Sequence, residues 1–540
     1  MSDLKSVFMK LEMSQFTAKQ KLGSRLLLIW LLLSSLCVFN PGFAKSKEGT
    51  LIAIVHPEPP TLMLGLNQQG PTLYVAGKIY QSLLVFDAQL NPYPSLARSW
   101  EVSKDGLVYT FELQKGVRWH DGKPFSAADV VFSVDVFLRQ MHPRARVMIN
   151  QIIASVTAVN DHRVVFKLKQ PFAPFLSSLV VDNMPIVPKH IYEGTDFKNN
   201  PANQTPIGTG PFKFKEWKRG SHIILVRNPD YWKKGLPYLD KIIFRVIPDA
   251  ASRAVAFEKG EVHLLRGGDI DNVDARRIRA LVDVATTNQG WEMFSPLAYI
   301  LMNQRKAPFN DIKVRQAVMH AINRKFIVDH IFFGLGKVAT GPIASTTLFY
   351  DANVPSYRYD LKKARDLIRD SGVDLKRTTI RLLPLPYGST WDRLAEYMKQ
   401  SLERIGFKVE MEAADAGSWS KRVGEFDYDM SFCFSYQYGD PALGVSRHFL
   451  STNQMPGSPF VNNQGYQNPE IDHLLAQAAM QIDPIVRQKL YSTAQQILVA
   501  EVANGYLFEL ENPTFYRKSI KKLVTTAIGL NETFESVYFQ

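Results

Sequence analysis

The sequence predicts an α/β protein with mixed sheets and more than one domain, on three observations. Alternating apolar runs between residues 96 and 131 predict a meander of antiparallel strands, with Asp105-Gly106 as a hairpin turn. Residues 378–412 have the order strand, helix, strand, which predicts a parallel layer. The chain has 540 residues, 46% hydrophobic and 21% charged, which is typical of a globular protein large enough for two or more cores.

The first segment with a clear pattern is an export signal. Residues 26–36, LLLIWLLLSSL, carry no charge, follow a region with five cations and two anions, and precede Gly42-Phe43-Ala44. The apolar run is shorter than the roughly 20 residues that span a bilayer. The pattern therefore predicts a signal peptide over residues 1–44, cleaved after Ala44. Cys37 raises the alternative of a lipoprotein, but Leu36 stands where that motif needs a small residue.

The remaining elements follow in chain order. A buried strand is predicted at residues 51–55 and a helix at 74–84. Ser126 begins a helix that reaches about Arg139, because Asp129 completes a capping-box-like pattern. Further strands are predicted at residues 156–159, 163–168, 212–217, 223–227 and 240–246.

The second half of the chain contains more helix. A helix is predicted at residues 250–259 and a long amphipathic one at 313–329. Asp360 is the predicted N-cap of a helix at 361–371. The strand, helix and strand of the parallel layer lie at 378–383, 390–405 and 408–412, and two more helices lie within 469–501.

Charge and motifs narrow the class of function. The net charge of +13 becomes +10 without residues 1–44, and it is spread along the chain, which predicts a basic surface rather than a nucleic-acid-binding arm. Cys433 is then the one cysteine left, so no intrachain disulfide is expected. The sequence contains no HExxH, CxxC, GxxxxGK[ST] or GxSxG motif. We therefore expect a binding protein without catalytic residues, metal or cofactor.

Three ordered blocks carry a resemblance to a known family. They are ARSWEVSKDGLVYTFELQKGVRWHDGKPFSAADVVFS (97–133), IGTGPFKFKEWKRGSHIILVRNPDYW (207–232) and KAPFNDIKVRQAVMHAINR (306–324). Each resembles a block of the family 5 extracellular solute-binding proteins, the periplasmic peptide-, dipeptide- and nickel-binding components of bacterial ABC importers. The similarity extends from Leu51 to the end of the chain.

The resemblance implies a two-lobed, type II-like periplasmic-binding-protein clamshell with an additional inserted domain. Lobe I would comprise residues 45–84, 206–304 and 506–540, the inserted domain 85–205, and lobe II 305–505. The chain would cross between the lobes near 302–307 and near 506.

The resemblance also implies a function. The protein would capture peptides or peptide-like solutes between its lobes in the periplasm and deliver them to the permease subunits of an ABC transporter in the inner membrane, as a monomer that does not bind nucleic acid. The alternative is the same transport role for an opine, a glycoside, a metal chelate or haem. A secreted hydrolase, and a periplasmic chaperone or sensory partner, are further alternatives.

The aromatic stretch SFCFSYQYGDP at residues 431–441 is the first candidate ligand site. Strand alternation puts Phe432, Phe434, Tyr436 and Tyr438 on one face, where they line either the ligand cleft or the core. In peptide-binding members of the family an aspartate shortly before the Gly-Asp-Pro-like turn holds the ligand's α-ammonium group. Gln437 occupies that position here and cannot supply a negative charge. Asp440 is a substitute for it or a cap of the turn.

The other candidates lie at chain positions where ligands bind in such folds. Tyr387 and Trp391 stand between a strand and a helix of the parallel layer. Asn303, at a predicted lobe crossing, is a candidate hydrogen-bond donor to ligand backbone. Arg447 is a candidate partner for a ligand carboxylate, and Glu58 lies beside the end of the first strand.

Overall fold

The computed structural model describes residues 49–540, so the predicted signal peptide and its cleavage site lie outside the described residues. The strands are β1 (Thr50–Ile54), β2 (Leu84–Phe86), β3 (Pro92–Pro94), β4 (Ala97–Val102), β5 (Val108–Leu113), β6 (Ile153–Asn160), β7 (Arg163–Leu168), β8 (Phe212–Lys218), β9 (His222–Arg227), β10 (Lys241–Arg245), β11 (Leu264–Leu265), β12 (Val284–Thr287), β13 (Leu297–Met302), β14 (Gly336–Val338), β15 (Thr379–Leu383), β16 (Lys408–Met411), β17 (Met430–Ser435), β18 (Gly505–Leu510), β19 (Thr514–Arg517), β20 (Ile520–Lys521) and β21 (Tyr538–Phe539).

The α-helices are α1 (Gly70–Ala76), α2 (Ala127–Val131), α3 (Arg139–Met141), α4 (Ala145–Ile152), α5 (Lys189–Tyr192), α6 (Ala250–Glu258), α7 (Asn272–Arg279), α8 (Ile312–Ala321), α9 (Arg324–Phe326), α10 (Leu361–Ser371), α11 (Ser389–Glu403), α12 (Ala416–Gly424), α13 (Pro441–Gly444), α14 (Pro469–Met480) and α15 (Pro484–Ala500). Two π-helical segments occur at Phe132–Leu138 and Ile327–Ile331, and short 3₁₀ segments include Ser446–His448 and Gly529–Asn531. None of the helices within residues 49–540 is long and apolar enough to cross a membrane.

The first lobe is built on a seven-stranded sheet in the order β12-β19-β11-β1-β10-β9-β8. β1 runs parallel to β10 and β11, while β19 inserts antiparallel between β11 and β12. The sheet therefore joins the first and nearly the last strand of the described chain. Leu51 and Ala53 of β1 are fully buried in its core.

An antiparallel four-stranded sheet, β4-β5-β7-β6, packs against the same core. The predicted hairpin at Asp105-Gly106 is confirmed: β4 and β5 pair antiparallel, and Gly106 has φ +68°, a conformation that suits glycine. The predicted helix start is also confirmed, because Ser126 and Asp129 form a reciprocal capping box. The helix continues through the π-helical segment to α3.

The second lobe contains a six-stranded sheet, β14-β18-β13-β17-β15-β16, around a separate hydrophobic core. β15 is parallel to both β16 and β17, which confirms the parallel layer that the sequence predicts. The N-cap at Asp360 is confirmed as well, since its carboxylate accepts the Lys363 N–H at 2.9 Å.

The lobe crossings differ from the predicted positions. β13 is buried along its whole length between β17 and β18, so both β13 and β18 belong to the second lobe. The chain consequently crosses at residues 288–296 and 511–513, rather than near 302–307 and 506. The other predicted domain bounds stay predictions.

Two predicted helices were wrong in extent. Helix α1 begins at Gly70 and ends at Ala76, where residues 74–84 were expected; at Gly77 a Cβ would lie 1.8 Å from the Asn531 carbonyl oxygen. The long helix expected at 313–329 is interrupted after Ala321. Ile322 is extended, and the side chain of Asn323 accepts the Phe326 N–H to cap the start of α9.

A candidate ligand-binding cleft between the lobes

Two adjoining cavities lie where the lobes face each other. The first has a volume of about 280 Å³ and is lined by α1 and the 529–531 segment of the first lobe, by the crossing residues Gly290, Trp291 and Phe294, and by Tyr436 and Tyr438 of the second lobe. Its walls therefore combine aromatic faces with a few polar side chains, which is the usual design of a small-molecule site.

The second cavity has a volume of about 370 Å³ and lies between α4 and the residues from Ala442 to Asn453. It shares four lining residues with the first cavity: Arg144, Asp182, Phe294 and Tyr438. The two cavities are therefore neighbouring chambers of one cleft, with these four side chains at their boundary.

A chain of aromatic contacts connects the crossing to the second lobe. The ring of Phe294 lies edge-on to Trp291 at 5.9 Å, to Tyr436 at 5.6 Å and to Tyr438 at 6.5 Å. The Trp291 indole N–H also donates to the Asn512 carbonyl at 3.0 Å, which links the two crossing segments. The aromatic wall of the cleft thus packs directly on the two segments at which the chain crosses between the lobes.

Charged groups concentrate at the boundary between the chambers. The guanidinium carbon of Arg144 lies 3.7 Å from the centre of the Tyr438 ring, and that of Arg447 lies at 5.6 Å. Burial alone would raise the pKa of the Tyr438 phenol, but these two cations outweigh it and hold that pKa below its ordinary value. The chamber boundary therefore has a positive potential.

Asp182 is the acidic group at the same boundary. Its side chain is 2% exposed, and its Oδ2 accepts the Asn531 amide N–H at 3.1 Å. Its Oδ1 has no hydrogen-bond partner among the described residues. Burial raises the pKa of this carboxyl to about 7, so Asp182 carries only a partial negative charge near neutral pH.

The structure distributes the aromatic candidates between core and cleft. Tyr436 and Tyr438 line the cavities, whereas Phe432 lies fully buried in the second core. Trp391 is 6% exposed and stacks on Phe434, with the ring centres 5.9 Å apart. Tyr387 is 48% exposed and meets the edge of Phe434. Tyr387, Trp391 and Phe434 do not line either cavity.

Gln437, just before the Gly-Asp-Pro turn, and Asp440, within it, line neither cavity. Gln437 is 1% exposed; its backbone N–H donates to the Phe294 carbonyl and its side-chain amide donates to the Pro342 carbonyl at 3.3 Å. Asp440 caps α13 by accepting the Ala442 N–H, and its two carboxylate oxygens each accept an N–H of Arg487 at 2.9 Å.

Among the remaining candidates, Arg447 lines the second cavity. Asn303 donates its amide to the backbone carbonyls of Phe426 and Tyr428, both at 3.0 Å, and Glu58 accepts the Trp217 indole N–H at 2.6 Å. Asn303 and Glu58 thus make contacts within their own lobes and lie outside both cavities.

Several lining residues were missed from the sequence: Arg144, Asp182, Arg266, Trp291 and Phe294. Asp182 offered a signal, because it is a lone acid in the apolar stretch SSLVVDNMPIV. The stretch GWEMF offered another in its two aromatic residues. Within residues 49–540 no group of three His, Cys, Asp or Glu side chains is arranged to hold a metal ion.

The fold and sequence match known proteins. A structure of a periplasmic binding protein, DppA, from Helicobacter pylori in complex with the peptide STSA superposes with a TM-score of 0.77 at 29% identity, covering 91% of this chain and 98% of that one. Di/tripeptide-binding protein 1 of Pseudomonas aeruginosa is 30% identical over 82% of this chain and 85% of its own length. Heme-binding protein A of Haemophilus influenzae is 30% identical over 78% and 80%.

These similarities confirm the predicted two-lobed α/β clamshell. The family model described as bacterial extracellular solute-binding proteins, family 5, middle region, matches residues 91–456, about two thirds of the chain. The match contains the meander, the Gly-Asp-Pro turn and most of the cleft. The chain belongs to the family 5 bacterial extracellular solute-binding proteins.

Proposed function

We propose that the protein is the substrate-binding component of an ABC importer that captures peptides or peptide-like solutes in the cleft and delivers them to a permease in the inner membrane. The observation that carries this proposal is the pair of adjoining cavities, whose walls come from both lobes. A ligand that contacts both lobes binds the closed arrangement best and so shifts the protein toward it. The protein performs no chemistry on the ligand.

The peptide class is supported by the walls themselves and by the relatives. Aromatic faces such as Tyr436 and Tyr438 accept varied side chains, while the backbone at Gly267, on the cavity wall, can hydrogen-bond a peptide main chain without regard to its sequence. The Pseudomonas relative is named for di- and tripeptides, and the Helicobacter structure holds a tetrapeptide. We further propose a periplasmic location and a monomeric state, which the signal pattern and the family imply.

Native mass spectrometry of the protein purified from the periplasm, with fragmentation of the bound species, tests the ligand class. We expect a ladder of masses that matches short peptides. A single non-peptide mass, such as that of an opine, glycoside, metal chelate or haem, would contradict the peptide assignment.

Two matched variants test the location of the site. Tyr438→Leu removes a ring that lines both cavities, so we expect it to purify with much less ligand than the wild type. Tyr387→Leu removes an exposed tyrosine outside both cavities and should retain the full amount. Equal ligand loss in both variants, or loss only in Tyr387→Leu, would place the site elsewhere.

A further inference from the structure

The side chains on the walls of the cleft carry more positive than negative charge. Four charged residues line the two cavities: Arg144, Arg266, Arg447 and Asp182. Arg266 is paired with Asp269 at 3.4 Å. Within residues 49–540, neither Arg144 nor Arg447 has a carboxylate oxygen within 4.0 Å. Asp182 is the remaining acid, so the walls carry an excess of positive charge.

The two arginines without a carboxylate partner both line the second cavity and both lie over the Tyr438 ring. Arg144 precedes α4, which packs beside the four-stranded sheet, whereas Arg447 lies in the 446–448 segment of the second lobe. Arg144 donates one N–H to the Asn183 side chain at 3.2 Å, and Arg447 donates its Nε–H toward His448 at 3.3 Å. Arg144 also hydrogen-bonds the Tyr438 side chain. Each guanidinium has five N–H donors, so each still has donors left for an acceptor, and two parallel N–H groups fit a carboxylate.

Neither candidate in the 437–440 stretch offers a free carboxylate to a ligand ammonium group. Gln437 is neutral and turned toward Pro342, and the Asp440 carboxylate is occupied by Arg487. Asp182 carries a partial charge and lies where Arg144 and the buried Lys78 act on it. Among the described residues on the cavity walls, a free amino terminus would therefore meet three arginines and one buried aspartate, so repulsion predominates.

We infer that, within the proposed transport function, the cleft selects anionic solutes: Arg144 and Arg447 bind a ligand carboxylate from opposite lobes, and no free ammonium group is required. N-blocked peptides, acidic peptides and other amide-containing carboxylic acids fit this chemistry. Because the two cations belong to different lobes, a carboxylate between them also favours the closed arrangement.

Isothermal titration at low salt tests this inference with two probes of nearly equal size that differ only at one terminal group. N-acetyl-phenylalanyl-alanine carries a carboxylate, and its C-terminal amide does not; both are added to protein freed of co-purified ligand by unfolding and refolding. We expect the acid to bind at least about tenfold more tightly, the usual worth of a charged hydrogen bond. Equal affinities would overturn the inference while leaving peptide capture intact.

Variants assign the effect to the two arginines. Arg144→Met and Arg447→Met should each lower the affinity for the acid toward that of the amide and leave the amide's own affinity nearly unchanged. Arg377→Met is the matched control, because that side chain is 90% exposed and lines neither cavity. A preference for the acid that survives in both cleft variants would refute the assignment.

A second pair of probes separates this inference from the peptide proposal. Benzoate and benzamide contain no peptide bond, and their binding is followed by saturation-transfer NMR. A benzoate signal that exceeds that of benzamide and disappears in Arg447→Met supports the carboxylate site even if no peptide binds. Equal signals from the two compounds, or none from either, would overturn it.

Discussion

The ion pair between Asp440 and Arg487 gives the sharpest test of how the turn beside the cleft is built. The side chains are 2% and 6% exposed, and the carboxylate accepts two N–H groups in a bidentate arrangement. Asp440→Asn keeps an oxygen that can cap α13 but removes the charge. The guanidinium of Arg487 is then left buried without its counterion.

The expected loss follows from that burial. Removing one partner of a buried pair typically costs about 3–5 kcal/mol, because the remaining charge stays desolvated. The cap itself accounts for little of this, since asparagine is as good an N-cap as aspartate. We therefore expect the free energy of unfolding of Asp440→Asn to fall by about 3 kcal/mol or more.

Urea unfolding followed by circular dichroism and by tryptophan fluorescence measures the change, and coincidence of the two curves checks for a single transition. Asp329→Asn is the matched control, because its pair with Lys325 is exposed and should contribute less than about 0.5 kcal/mol. The double variant Asp440→Asn with Arg487→Met should recover part of the loss, since it removes the stranded charge.

Two results would refute this reasoning. A loss below about 1 kcal/mol would mean that the pair does not stabilise the turn. Normal stability combined with loss of ligand would mean that Asp440 acts on the ligand, as one alternative from the sequence holds.

Three further predictions concern single residues. Cys433 is 2% exposed and burial raises its pKa to about 11, so a thiol reagent should label it only after unfolding. Gly208→Ala should lower the free energy of unfolding in urea by about 3 kcal/mol, because a Cβ there would lie 1.9 Å from the Ile79 carbonyl oxygen. Gly220→Ala is the comparison variant, because a Cβ there would meet no neighbouring atom and only its positive φ is strained. Burial raises the Asp182 pKa from 3.8 to about 7, although the positive charges of Arg144 and Lys78 lower it. The folded protein therefore keeps a proton on Asp182 that the unfolded chain releases near pH 4. The stability that this proton contributes is present at low pH and is lost between about pH 4 and 7. We therefore expect Asp182→Asn to be more stable than the wild type by up to about 4 kcal/mol at pH 8 and by little at pH 4, as measured by thermal unfolding. A stability difference that stays constant across this pH range would contradict the prediction.

The features that the sequence predicted well depend on neighbouring residues. The Asp105-Gly106 hairpin, the Ser126–Asp129 capping box and the Asp360 cap each form within a few residues of the chain, so local chemistry determines them. The parallel layer followed from an order of elements. Family membership followed from ordered blocks of sequence.

The features that the sequence predicted poorly depend on distant contacts. Helix α1 ends where the Asn531 carbonyl, more than 450 residues along the chain, approaches Gly77. Arg144, Asp182 and Tyr438 meet only because two lobes fold against each other. The aromatic motif correctly indicated that the loop with Gln437 and Asp440 lies beside the cleft. These two side chains instead bind Pro342 and Arg487, and contacts with such distant residues cannot be predicted from a local pattern.

The positions of the two crossings mean that one lobe is a contiguous segment of the chain and the other is not. Residues 297–510 form one uninterrupted segment that contains the whole six-stranded sheet, and its first and last strands lie side by side, with Leu297 opposite Glu509. That lobe is therefore one contiguous piece of chain, which two cuts would release as a single fragment with neighbouring ends. The other lobe cannot be taken as a contiguous fragment, because β19 must return from the far end of the chain to fill the gap between β11 and β12.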